Sequence, residues 1–167
     1  GRPFTTVVPS PKEGNFVASK ADKSIRATLI RDVLPAVRKK GSSDIVDIRS
    51  ADEYSGKIFA PAGFQELAVR AGHIPGAINV PWGSNVNADG TFKTVAELKK
   101  LYADKGIDGK KPIITYCRIG ERSSLTWFVL SEILGYEVKN YDGSWTEYGN
   151  GVGNPISNPA GTIWGAA

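Results

Sequence analysis

At 167 residues the chain is long enough for one domain with a real hydrophobic core and too short for two ordinary ones. An apolar fraction of 41% and a charged fraction of 23% are those of a soluble globular protein, which excludes disorder except at the ends. The net charge of +4 is scattered rather than gathered into a stripe, so it argues against nucleic acid as a partner and supports at most a modest preference for anionic substrates.

Residues 1–23 read as a linker or a segment draped over the domain, because Gly1 to Lys20 holds three prolines, two glycines and no periodicity. The folded body is expected over residues 24–148. Ser24 to Ala27 reads as a short strand. Thr28 then caps a helix through Lys39 with apolar positions at Leu29, Ile30, Val33, Leu34 and Val37, kinked at Pro35. Asp44 to Ile48 is a buried strand, Ala51 to Ser55 one helical turn capped by Ser50, and Ala77 to Val80 the next strand. Thr94 and Glu97 form the S/T-x-x-E box that opens a helix to about Ala103. Pro112 to Tyr116 is the third buried strand, Ser123 to Leu134 the longest helix with Gly135 as its stop, and Glu137 to Tyr141 the fourth strand. Ser144 to Tyr148 closes the body as a helical turn, and residues 149–167, rich in Gly, Asn and Pro, form a C-terminal tail. Strands alternating with helices of this size imply an α/β fold, a mostly parallel central sheet flanked by helices. Sites in such sheets lie beyond the carboxyl ends of the strands.

Cys117, the only cysteine, stands at one such end, and Asp47 with Arg49 at another. The cysteine is followed by Arg118-Ile119-Gly120-Glu121-Arg122 and then by the longest helix. A free cysteine titrates at about 8.5, and loop amides, a helix N-terminus and neighbouring arginines all favour the thiolate. A lone cysteine is ordinarily a small core residue, but a core position does not call for guanidiniums beside it. Cys117 therefore reads as a nucleophile.

Four segments together resemble the rhodanese family of sulfurtransferases. They are Asp47-Ile48-Arg49 followed by Glu53-Tyr54-Ser55-Gly56, the turn Gly72-His73-Ile74-Pro75-Gly76-Ala77, the loop Cys117 to Arg122, and Tyr141-Asp142-Gly143-Ser144-Trp145, in the family's order. The likeness is greatest to the catalytic C-terminal half of two-domain thiosulfate sulfurtransferases. It implies a rhodanese-like domain and a ping-pong reaction in which Cys117 takes the outer sulfur of thiosulfate as a persulfide and passes it to cyanide or a thiol. It further implies that the backbone of Arg118, Ile119, Gly120, Glu121 and Arg122 cradles the sulfur, that Arg118 helps hold an anionic donor, and that a rhodanese-like domain precedes this one. Where some members place a second donor-binding arginine, this chain has Glu53, and Arg122 is the residue able to supply the missing charge, partly offset by Glu121.

Other readings stay open on the sequence. Relatives that prefer 3-mercaptopyruvate carry a small, uncharged residue after the cysteine, which Arg118 is not. Cysteine-dependent phosphatases use a C-x5-R loop, one residue longer than the C-x4-R spacing of Cys117 and Arg122, and have histidine where this chain has Tyr116. A non-catalytic rhodanese-like binding module is the third alternative. Asp47 and Arg49 suit either a structural ion pair or orientation of the loop, and Trp145 either covers the core or walls the pocket. His73, the sole histidine, belongs to a Gly-His-Ile-Pro-Gly turn shaped by backbone needs. With one cysteine and one histidine, neither a metal nor another cofactor is expected. No apolar run has membrane-spanning length, and an unpaired cysteine points to the cytoplasm. The sequence contains no methionine, which fits a processed product or a piece of a longer protein.

Overall fold

The computed structural model describes residues 5–65 and 67–163. Five strands, β1 (Arg26–Ala27), β2 (Asp44–Asp47), β3 (Ile78–Asn79), β4 (Ile113–Tyr116) and β5 (Val138–Tyr141), form one sheet in the order β1-β5-β4-β2-β3. Every pairing is parallel, with Asp44 opposite Ile113 and Asp47 opposite Tyr116 across the central pair. The fold is thus α/β around a parallel sheet, as the alternation of elements predicts.

Strands β2 and β4 are buried at every position because helices cover both faces. Their side chains alternate between two cores. Ile45, Ile114 and Tyr116 point into one with Val33, Tyr141, Trp145 and Tyr148, while Val46, Ile113 and Cys117 enter the other with Leu98, Tyr102, Val129 and Leu130. The period of two that puts Tyr116 in one core necessarily puts Cys117 in the opposite one.

The helices form for local reasons, with some departures from the sequence reading. Thr28 does precede a helix, but its hydroxyl donates to Asp32 and makes no backbone cap. The first turn, Leu29–Val33, is a wide π turn in which the Leu34 amide donates to the Leu29 carbonyl, and α1 (Leu34–Arg38) follows with Pro35 in its first turn. Proline needs no donor there, and the helix changes type just before it. Ser50 with Glu53, and Thr94 with Glu97, make complete capping boxes for α2 (Ala51–Ser55) and α3 (Val95–Ala103). Helix α4 (Glu121–Phe128) begins two residues earlier than expected, directly after Gly120, and runs into a second wide turn at Val129–Ile133. A 3-10 turn at Trp82–Asn85, not anticipated, and α5 (Ser144–Asn150) complete the body.

Residues 5–23 are exposed and have no regular secondary structure through 5–23. At the other end the chain folds back: Ser157 and His73 exchange amide-to-carbonyl hydrogen bonds of 3.0 and 2.8 Å, and the Ala160 amide donates to the Ser55 carbonyl. The stretch beyond α5 therefore lies against the turn that carries His73.

Candidate active site

The chain runs outward from β2 to the edge strand β3, crosses back to β4, and then continues to β5 on the other side. The connections leaving β2 and β4 consequently diverge, and a crevice opens beyond the carboxyl ends of this central pair. Glu53, in α2 after β2, and Cys117 to Arg122, after β4, face each other across it.

A cavity of about 330 Å³ fills the crevice mouth, lined by Cys117, Arg118, Ile119, Glu121 and Arg122 from the loop and by Pro61, Phe64 and Trp82 from neighbouring segments. Cys117 is buried at the bottom. Gly120 closes the loop at φ 83°, and a Cβ there would come within 2.7 Å of Asp142 Cα, so the turn needs glycine twice over. Among the described residues no side chain caps α4, so its first-turn amides face the loop without a side-chain capping partner.

The corner after β5 clamps this loop from behind. The buried Ser144 hydroxyl donates to the Tyr141 carbonyl at 2.7 Å and accepts the Cys117 amide at 3.1 Å. The Trp145 amide donates to the Cys117 carbonyl and the Thr146 amide to the Arg118 carbonyl, each at 3.0 Å. Asn140 adds a 3.0 Å bond to the Gly120 carbonyl. Ser144 does this at φ 49°, the one non-glycine residue with positive φ among those described.

The two loop arginines have different surroundings. Arg118 lies over the Phe64 ring, 5.9 Å from its centroid, and donates to the Gln65 carbonyl at 2.6 Å. Arg122 reaches across the crevice to the fully buried Glu53, its Nη2 3.0 Å from Oε1 and its Nη1 3.3 Å from Oε2. Burial pushes the Glu53 carboxyl up, but the hydrogen bonds from Arg122 and Ser50 and the charge of Arg122 outweigh it and hold the group below its ordinary value. Burial likewise pulls Arg122 down while Glu53, and to a lesser degree the charge of Cys117, push it above its usual range. Arg122 is therefore a paired guanidinium, its charge offset by Glu53 across the crevice.

Asp47, Arg49 and Trp145 do not line the cavity. Arg49 is 1% exposed and binds Asp47 through Nε and Nη2, the latter at 2.7 Å, while also donating to the Gly72 carbonyl. Its guanidinium carbon sits 4.7 Å from the centroid of Trp145, whose indole donates to the Arg70 carbonyl. The Tyr116 hydroxyl donates to Asp47 at 2.6 Å and accepts the Ile74 amide. Burial first, then the Asp47 charge, drives the Tyr116 phenol well above its ordinary value, so it stays a donor. This network is structural: it ties β2, β4 and the His73 turn together beneath the site. His73 stacks on Tyr54 at 3.7 Å, its Nδ1 is 2.7 Å from the Tyr54 carbonyl, and burial lowers its pKa, all of which fits the turn role.

Sequence reasoning missed the Pro61, Phe64 and Trp82 walls and the Ser144 clamp. Phe64 and Trp82 sit in segments without periodicity, and only their size and their Pro or Gly neighbours set them apart. Ser144 stood in a motif already quoted, but nothing in the order of residues says which backbone group its hydroxyl meets. Among the described residues no group of three His, Cys, Asp or Glu side chains is placed to hold a metal ion.

A parallel sheet with a single cysteine in a glycine-turned loop between its central strand and the following helix defines the class. The rhodanese-like domain family matches residues 32–150, and the chain belongs to that family. It is 57% identical over 158 residues to a protein of Mycolicibacterium smegmatis named "Putative thiosulfate sulfurtransferase", covering 93% of this chain and 55% of that protein. It is 54% identical over 161 residues to the sulfur carrier protein TtuD of Thermus thermophilus, covering 94% of this chain and 56% of that one. The chain thus spans about half the length of these relatives. Among solved structures, the anaerobic ergothioneine biosynthesis enzyme of Chlorobium limicola, in complex with trimethyl histidine, superposes with a TM-score of 0.70 at 30% identity over 80% of this chain and 32% of that one.

Proposed function

We propose that this chain carries out sulfur transfer from thiosulfate through a persulfide on Cys117. The Cys117 thiolate attacks the outer sulfur of thiosulfate, the S–S bond of the donor breaks, and its electron pair leaves with sulfite. An acceptor thiolate or cyanide then takes the outer persulfide sulfur and returns the Cys117 thiolate. The observation that carries this reading is the placement of Cys117 at the base of a cavity whose mouth holds Arg118 and Arg122 and whose floor is the uncapped start of α4.

Arg118 is the group proposed to meet the donor's oxygens, since Arg122 is already paired with Glu53. Loop amides are proposed to donate hydrogen bonds to the negative charge on the Cys117 sulfur. The Thermus relative's name as a sulfur carrier accords with delivery to an acceptor thiol. The loop, one residue shorter than a C-x5-R phosphate loop, favours a single sulfur over a phosphoryl group. No helix among the described residues is long and apolar enough to cross a membrane, and we place the activity in a reducing compartment such as the cytoplasm, where an unpaired thiol persists. A preceding rhodanese-like domain belongs to the same proposal, supported by the half-length match and by the exposed Phe64, Trp82 and Ile119 around the mouth.

Intact mass after incubation with thiosulfate under non-reducing conditions tests the mechanism. The parent is expected to gain one sulfur and Cys117→Ser none. A sulfur adduct on the serine variant, or none on the parent, would falsify the covalent route.

A further inference from the structure

We infer that Glu53 sets the charge selectivity of the donor site, a reading that rests on the sulfur-transfer proposal and adds a specificity-determining residue to it. Glu53 is fully buried yet carries four contacts: from the Ser50 amide and hydroxyl at 3.0 Å each, and from the two terminal nitrogens of Arg122. The capping box needs only one carboxyl oxygen with acceptor capacity, and glutamine serves that position as well as glutamate. The second oxygen, and the full negative charge, are directed at Arg122.

The pair has two effects at the cavity. It fixes the Arg122 guanidinium as a directional donor beside the sulfur site, and it offsets the positive charge that the guanidinium would otherwise project into a crevice of low dielectric. Arg118 then remains as the loop cation without a carboxylate partner among the described residues, since its guanidinium meets the Gln65 carbonyl and the Phe64 face. Glu121 also lines the mouth and adds a negative charge. Glu53 and Glu121 offset Arg118 and Arg122, and the Cys117 thiolate adds a further negative charge, so the site has no net positive charge although the chain as a whole carries +4. Such a site holds a monoanionic donor nearly as readily as a dianion, and Glu53 is the group that withholds the dianion's advantage.

Thiosulfate and benzenethiosulfonate test this directly, since both deliver an outer sulfur to a thiolate and release sulfite or a sulfinate, but they carry two charges and one. In Glu53→Gln the thiosulfate KM should fall about tenfold and the benzenethiosulfonate KM about threefold, because each ligand charge meets the same added potential. The double variant Glu53→Gln/Arg122→Gln removes both charges together and should keep the parental preference between donors. Glu53→Asp, which keeps the charge, should keep it as well. Equal shifts for the two donors, a fall in kcat with both KM values unchanged, or a parental preference lost in Glu53→Asp would each overturn the charge assignment and leave a positioning role. A parent protein that takes no sulfur on Cys117 from either donor would instead overturn the sulfur-transfer reading, and this inference with it.

Discussion

Cys117 reacts, on this account, because other residues hold its backbone and its surroundings while its own side chain stays buried at the cavity base. Under the proposed mechanism, donor affinity turns on Arg118. Among the described residues its guanidinium is held by the Gln65 carbonyl and the Phe64 face alone, so it can reorient toward an anion at small cost. A charge-assisted hydrogen bond is worth about 1.5–3 kcal/mol where solvent is partly excluded. Arg118→Ala is therefore expected to raise the thiosulfate KM by roughly tenfold or more, with kcat less affected, and to flatten the salt dependence of KM. Steady-state kinetics at low and high ionic strength provide the check, and unchanged thiosulfate kinetics would remove Arg118 from the donor site while leaving the chemistry at Cys117 intact.

Among the elements, the corner between β5 and α5 does most to shape the loop. Ser144 accepts the Cys117 amide and donates to the Tyr141 carbonyl, both out of water, from a backbone conformation that L-residues rarely adopt. Removing the hydroxyl strands the Cys117 amide without an acceptor, and a buried unsatisfied donor costs about 1–3 kcal/mol. Ser144→Ala should lose about that much in urea unfolding and should load sulfur more slowly, because the Cys117 amide is free to turn. Rapid-quench mass measurement of the adduct separates the two effects. A variant that is less stable but loads sulfur at the parental rate would confine Ser144 to stability.

Across the whole molecule, buried ion pairs and the hydrogen bonds they make join segments that are far apart in sequence. Asp47 with Arg49 anchors β2 to β4 and to Gly72, and Glu53 with Arg122 joins α2 to α4. Glu53 is held below its ordinary 4.5, so the folded chain binds fewer protons there than the unfolded chain near that pH. Its contribution to stability is complete above that value and is lost as pH falls toward the lowered folded pKa. Thermal unfolding followed from about pH 6 down to pH 3 should show the parent losing more stability than Glu53→Gln, which has no carboxyl to protonate at this position. Parallel curves for the two proteins would mean that the pair contributes nothing to folding.

The sequence by itself determined the layer class and the end of the sheet at which the cavity opens. The buried runs at 44–48 and 112–116, the Ser50 cap and the Thr94 capping box are local signals, set by propensity, capping chemistry and the period of two, and they survive translation into three dimensions. The place of Cys117 at the cavity was legible for the same reason, since a cysteine between a strand and an arginine-bearing loop is a local pattern. Only the tertiary structure decided who meets whom. That Arg122 is paired with Glu53, that Ser144 holds the Cys117 amide, and that Phe64 and Trp82 wall the cavity all depend on the sheet order β1-β5-β4-β2-β3. It sets segments dozens of residues apart side by side. Parallel strands need long crossovers, so partners across the crevice are non-local by construction, and no spacing along the chain records them.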